Sequence, residues 1–344
     1  MRRATGETTY PDETASPLHG RAQRIILVVR VDAASAMTML ATLAVMVAAC
    51  AGGTAGSGAA GQTAPPATTP QATAPSTSAA STPTTRTPTV AATQAGLPLF
   101  DAHIHYSQDA WSEYSPERAL AILREAGIRR ALLSSPPDAG TMRLYERGPD
   151  LVVPMLRPYR SRDDIGSWTR DGTIVPYLET TFRRGVHRGI GEFHLYAGEA
   201  ATPVLRAVVA LAVREDLFLH AHADDRAVEE LLRADPRAKV LWAHAGMSAG
   251  AETVGALLDR YPAMWVELAL RSDVAPGGTL DATWRAVFIA HADRFMVGTD
   301  TWVPSRWEAV VDNHRQTRVW LAQLPRKVAE KIAYGNADRL FAAR

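Results

Sequence analysis

From residue 97 to residue 344, short β-like runs and amphipathic stretches alternate eight times. The candidate strands are Leu99–His105, Ile128–Ser134, Leu151–Leu156, Arg188–His194, Asp216–His222, Lys239–His244, Ala263–Ala269 and Phe295–Thr301. Helical stretches such as Ser115–Ala126, Thr202–Arg214, Asp225–Ala234, Ala249–Tyr261 and Leu280–His291 lie between them. Ser115-Pro116 and Thr202-Pro203 read as an N-cap followed by a first-turn proline, where no amide hydrogen is needed. Strands that alternate with helices form a parallel sheet, because each helix carries the chain back to the same end. Eight units in about 250 residues predict an α/β fold, a (β/α)8 TIM barrel. The competing arrangement is an open doubly wound sheet, but no Gly-rich dinucleotide fingerprint or phosphate loop accompanies it.

The first 96 residues are of a different kind. Residues 33–49 carry no charge and follow Arg21, Arg24 and Arg30. A basic flank before an apolar run reads as a signal peptide. The run is short of the about 20 apolar residues that a membrane span needs. It ends in Val47-Ala48-Ala49-Cys50, which resembles the lipobox of bacterial lipoproteins. That resemblance implies lipidation at Cys50 and an exported protein, membrane-anchored on the outer face of the cytoplasmic membrane or in the periplasm. A plain secretory signal or an uncleaved anchor is the alternative. Residues 51–96 are almost wholly Ala, Gly, Thr, Ser, Pro and Gln, too polar and too small to offset their ordering entropy. The chain therefore divides into a targeting segment (1–49), a disordered linker (50–96) and a barrel (97–344) preceded by both.

The chain has 37 basic and 36 acidic residues, and residues 1–96 hold six and four of them. The barrel is thus close to neutral, without the basic bias of a nucleic-acid binder. A single cysteine excludes an internal disulfide and a cysteine-based zinc cluster. The ten histidines carry the chemistry. Strand residues two apart face the same side, so His103 and His105 project together at the C-terminal end of the first strand, where barrels place their active sites. The fourth strand ends with Glu192 and His194, the fifth with His220 and His222, the sixth with His244 and the eighth with Asp300. Such a rim suits a divalent metal, with zinc, manganese or iron all matching His and carboxylate donors. His19, His187, His291 and His314 have no such placement and read as ordinary.

Asp101-Ala-His-Ile-His105, Trp242-Ala-His-Ala-Gly246 and Val297-Gly-Thr-Asp300 together resemble the amidohydrolase superfamily, in the branch called amidohydrolase family 2. The ending Tyr334-Gly-Asn-Ala-Asp-Arg-Leu-Phe341 resembles the closing helix of that branch. The resemblance implies that His103, His105 and Asp300 bind the first metal. It places His222 and His244 at the fifth- and sixth-strand ligand positions, with His220 as the alternative to His222. Asp300 would accept a proton from the attacking water, with His244 beside it in the catalytic set. Glu192 stands either as a bridge between two ions or as a partner orienting a histidine. His194, Glu267 and Arg271 are candidate substrate contacts; an ion pair is the other reading of Arg271.

These residues suit hydrolysis of a small-molecule amide, lactone, ester or phosphoester, with one or two ions, zinc first among them. Non-hydrolytic decarboxylation at a single metal is the alternative that the resemblance keeps open. Two rivals differ in class. Gly246-Met-Ser248-Ala-Gly250 is a literal G-x-S-x-G with Asp300 and His314 following in order, which would make a serine hydrolase. A non-enzymatic metal- or ligand-binding lipoprotein is the other. The expected partners are a small-molecule substrate and, through Cys50, a membrane.

Overall fold

The structure is a computed structural model, and it describes residues 96–342. The signal segment, Cys50 and the linker to residue 95 lie outside the described residues. The barrel strands are β1 (Leu99–Ile104), β2 (Ile128–Leu133), β3 (Val152–Pro154), β4 (Gly189–His194), β5 (Phe218–His222), β6 (Lys239–Trp242), β7 (Met264–Glu267) and β8 (Phe295–Met296). All eight expected strands form, and each neighbouring pair is parallel. Single parallel bridges from Leu156 to Ile190 and from Asp101 to Val297 join β3 to β4 and β8 to β1, so the ring closes. The chain is a (β/α)8 barrel, as its alternation predicts.

The helices form where capping and apolar spacing agree. In α1 (Pro116–Glu125) the Ser115 hydroxyl accepts from the amide of Arg118, and in α4 (Pro203–Arg214) Thr202 does the same for Leu205. Both caps satisfy an amide that the helix leaves orphaned. In α5 (Asp225–Ala234) the buried residues are Ala227, Val228, Leu231 and Leu232, a single stripe turned to the sheet. Two helices have weak signals in the sequence. α2 (Ala139–Tyr145) contains Gly140, and α3 (Ile174–Phe182) contains Pro176 and two threonines.

Completing the ring are α6 (Ala251–Arg260), α7 (Ala282–Ala290), α8 (Ser305–Glu308), α9 (Val310–Leu321), α10 (Arg326–Glu330) and α11 (Asn336–Leu340). The last of these closes the end of the barrel opposite the histidines. Phe341 packs on Phe218 and Phe100, with ring centroids 4.6 and 6.2 Å away. Together with Leu132, Val153, Met155, Leu241 and Met296 these rings form one of two buried apolar clusters. Asn336 fixes the helix by donating to the carbonyls of Ala292 and Phe295, both at 2.8 Å.

Candidate metal centre and active site

Local irregularities aim the site residues. The β1–β2 register shifts between Asp101 and Ile104, and the β4–β5 register shifts between Gly191 and Phe193. A shift of this kind re-aims the side chains beside it, and His103 and Glu192 lie within these two stretches. His244 and Asp300 both take left-handed backbone, with φ of 56° and 54°. Each such residue costs roughly 1–2 kcal/mol and persists only where its surroundings fix it. Gly298 is required for a different reason. A Cβ there would lie 2.4 Å from Glu267 Oε2 and 3.0 Å from the His103 Cβ.

Three imidazoles have their outer nitrogens committed. His105 Nδ1 donates to the Ser134 carbonyl at 2.7 Å, and His244 Nδ1 to the Ala269 carbonyl at 3.1 Å. His103 Nδ1 donates to Glu267 Oε1 at 2.9 Å. Each ring therefore presents its Nε2 inward, the arrangement that outer partners impose on metal-binding histidines. The inner nitrogens of His103 and His105 are 3.0 Å apart. Glu192 Oε2 lies 3.1 Å from His105 Nε2 and 3.4 Å from His103 Nε2. Asp300 Oδ1 lies 3.3 and 3.8 Å from the same two atoms. Donors that surround one ion at 2.0–2.1 Å stand roughly 3.0–3.4 Å from one another, so His103, His105 and Glu192 have the spacing of a single shell, with Asp300 at its edge.

The other oxygen of Glu192 faces a second pair. Oε1 is 2.9 Å from His222 Nδ1 and 3.3 Å from His244 Nε2, and Asp300 Oδ2 is 3.9 Å from His244 Nε2. Glu192 thus stands between the β1 histidines and those of β5 and β6. His222 meets Glu192, whereas His220 lies behind His103, its Nε2 3.9 Å from Glu267 and without a hydrogen-bond partner among the described residues.

The electrostatics favour a cation. Burial alone would lower the pKa of His103, but the carboxylates of Glu192, Glu267 and Asp300 outweigh it and hold it well above the usual imidazole range. His244 is raised as well: burial opposes the shift, while Glu267 and Glu192 drive it. Glu192 and Glu267 stay well below the ordinary carboxylate range although burial works the other way, because His103 and its neighbours are close. Burial and Arg157 lower His105. The buried Asp300 Oδ1 makes no hydrogen bond among the described residues. Three carboxylates, three inward lone pairs and one orphaned oxygen fit a divalent ion.

A cavity of about 490 Å³ opens over these groups, with Arg157, His194 and Trp302 on its walls beside Glu192, His222 and Asp300. Two expected substrate contacts lie elsewhere. Glu267 is fully buried behind His103, where it also accepts from the amides of His244 and Ala269 at 2.7 Å. Arg271 pairs with Asp273 and donates to the carbonyls of His244, Ala245 and Ala249, bracing the turn after β6. His194 does reach the cavity. Sequence reasoning passed over Arg157, whose guanidinium donates to Glu192 Oε2 at 3.2 Å. It follows the third expected strand directly, the signal by which it could have been found. His314, read as ordinary, is fully buried against Asp101 at 2.8 Å. Asp101 in turn accepts from the amides of His103 and Thr299. This pairing takes His314 away from Ser248, which is exposed and has no histidine bonded to it among the described residues. The serine triad does not assemble.

Residues 179–343 match the family described as Amidohydrolase. No curated protein matches the chain by sequence. Among solved structures, it is similar to a probable 2-pyrone-4,6-dicarboxylic acid hydrolase from Acinetobacter baumannii with citric acid bound. That match has 14% identity and a TM-score of 0.50, over 71% of this chain and 99% of the other. It is also similar to a TatD homologue from Escherichia coli, with 16% identity and a TM-score of 0.53, over 72% of this chain and all of the other. At these identities the likeness speaks for the fold.

Proposed function

We propose that this chain, whose residues 179–343 match the family described as Amidohydrolase, is a metal-dependent hydrolase that cleaves a small-molecule amide, lactone or ester at a centre that Glu192 would bridge. His103, His105, Glu192 and Asp300 would hold one divalent ion; Glu192, His222 and His244 would hold a second. Zinc suits this all-nitrogen and oxygen donor set best, ahead of manganese or iron. Such an ion, when bound, acidifies water toward neutrality and polarises a carbonyl oxygen.

The chain's own residues do the rest. Asp300 takes a proton from the attacking water as the new carbon–oxygen bond forms, and returns it to the leaving group as the scissile bond breaks. Arg157 holds Glu192 in register from the side away from His222. Glu267 fixes the tautomer of His103 and, through the His244 amide, the turn that carries His244. The observation that carries this reading is the convergence of three committed Nε2 atoms on the two oxygens of Glu192. It is tested by turnover of a panel of lactones, esters and amides by the full chain. Activity should vanish with a chelator, return with zinc, and fall by about 10²–10⁴-fold in Asp300→Asn. Turnover that survives both treatments would overturn it.

A further inference from the structure

We infer that His194 is a hydrogen-bond donor to the substrate's reacting oxygen, locked in its Nε2–H tautomer by Tyr159. The choice of a carbonyl oxygen as the acceptor rests on the hydrolytic reading above. The lock rests on hydrogen-bond accounting. Tyr159 is fully buried, so its hydroxyl proton must go to a protein acceptor, since an unmet buried donor costs about 1–3 kcal/mol. The phenol oxygen already accepts from the backbone amide of His194 at 2.7 Å. Its other close polar partner is His194 Nδ1 at 3.2 Å. Arg157 lies over the Tyr159 ring at 4.8 Å and carries donors only. The phenol therefore donates to Nδ1, and an imidazole whose Nδ1 accepts carries its hydrogen on Nε2.

The ring is held for this task. Trp168 Nε1 donates to the His194 carbonyl at 2.9 Å, so the backbone is fixed on both sides of the residue. The imidazole stacks on His222, with centroids 4.4 Å apart. A donor or acceptor atom of Glu192, of His194 and of His222 lies within 4.8 Å of the other two. His194 faces the cavity, and its Nε2 has no hydrogen-bond partner among the described residues. The opposite arrangement, a lone pair on Nε2 used as a metal ligand, would leave the buried Tyr159 proton without an acceptor. A neutral N–H beside the reacting carbonyl stabilises the developing oxyanion and adds no full charge next to a metal centre.

The test reads the tautomer and the chemistry separately. The full chain is labelled with 15N-histidine, and long-range 1H–15N correlations are recorded with and without zinc. His194 is assigned by the signals lost in His194→Gln. The expected pattern is a protonated Nε2 and an unprotonated Nδ1 in both states, giving way to a tautomer mixture in Tyr159→Phe. In turnover, His194→Leu should lower kcat by about 10²–10³-fold with a much smaller change in KM, as for a lost oxyanion donor. His194→Gln, whose side-chain amide offers an N–H, should recover most of that loss. Metal content should match that of the parent in both variants. A protonated Nδ1, a zinc-dependent shift of Nε2, or an undiminished kcat in His194→Leu would overturn the inference. The tautomer is read without turnover, so it supports the lock even if the hydrolytic reading fails.

Discussion

At His103 three carboxylates compete to place one positive charge. Glu267 holds the outer nitrogen and Glu192 and Asp300 face the inner one. The pairing of His103 with His105 is legible in the sequence, because side chains two apart share a strand face. What periodicity leaves out is depth along the barrel. Glu267 belongs to an inward-facing series, as a substrate contact would, yet it lies one layer below the ligands. His314 is invisible to a strand-based reading, since its partner Asp101 is reached from the outer helix α9. Removing one member of a buried pair leaves the other uncompensated, at about 3–5 kcal/mol. His314→Ala should therefore lower stability in urea by about that amount, and the metal-loaded form should lose kcat/KM as the Asp101 brace on His103 relaxes. A variant as stable as the parent would show that the pair contributes nothing net.

The elements themselves were legible wherever caps and periodicity agreed, which covers all eight strands and the helices opened by Ser115 and Thr202. The two helices with interior Gly140 and Pro176 give weaker signals, because tertiary packing rather than local propensity holds them. The strand ends run shorter than their apolar spans. β6 stops at Trp242 and β8 at Met296, and the ligands that follow sit on turns with left-handed backbone. That conformation lets His244 and Asp300 turn inward. The opposite end of the barrel depends on α11. Phe341→Ala deletes a fully buried ring from that cluster and should cost about 3–5 kcal/mol while leaving metal content per folded chain unchanged. At Gly298 an added methyl would meet Glu267 and His103 together. Gly298→Ala should therefore weaken zinc retention as well as lower the melting temperature, and a competition assay with a chromogenic chelator measures it.

Over the whole molecule, the excess of carboxylates at the centre sets how stability follows pH. His103 and His244 have folded pKa values above 6.5. A group of this kind stabilises the metal-free fold fully below its unfolded pKa and loses that contribution as pH rises through the folded value. The metal-free protein should therefore lose stability from pH 6.5 upward. The metal-loaded protein should not, because the ion replaces the protons, and its binding should release protons at neutral pH. Thermal melts across that range, with and without chelator, check both. The amino-terminal hundred residues add a separate proposal, that Cys50 carries the lipid which tethers the barrel to a membrane. Incorporation of labelled palmitate into the full chain, lost in Cys50→Ala, is its test.

The central claim is that Glu192 bridges two ions, and metal content of the purified full chain addresses it most directly. The parent should hold about two zinc equivalents per folded chain. His222→Ala should hold about one. One equivalent in the parent, unaffected by loss of His222, would contradict the bridge and return Glu192 to the role of orienting His105.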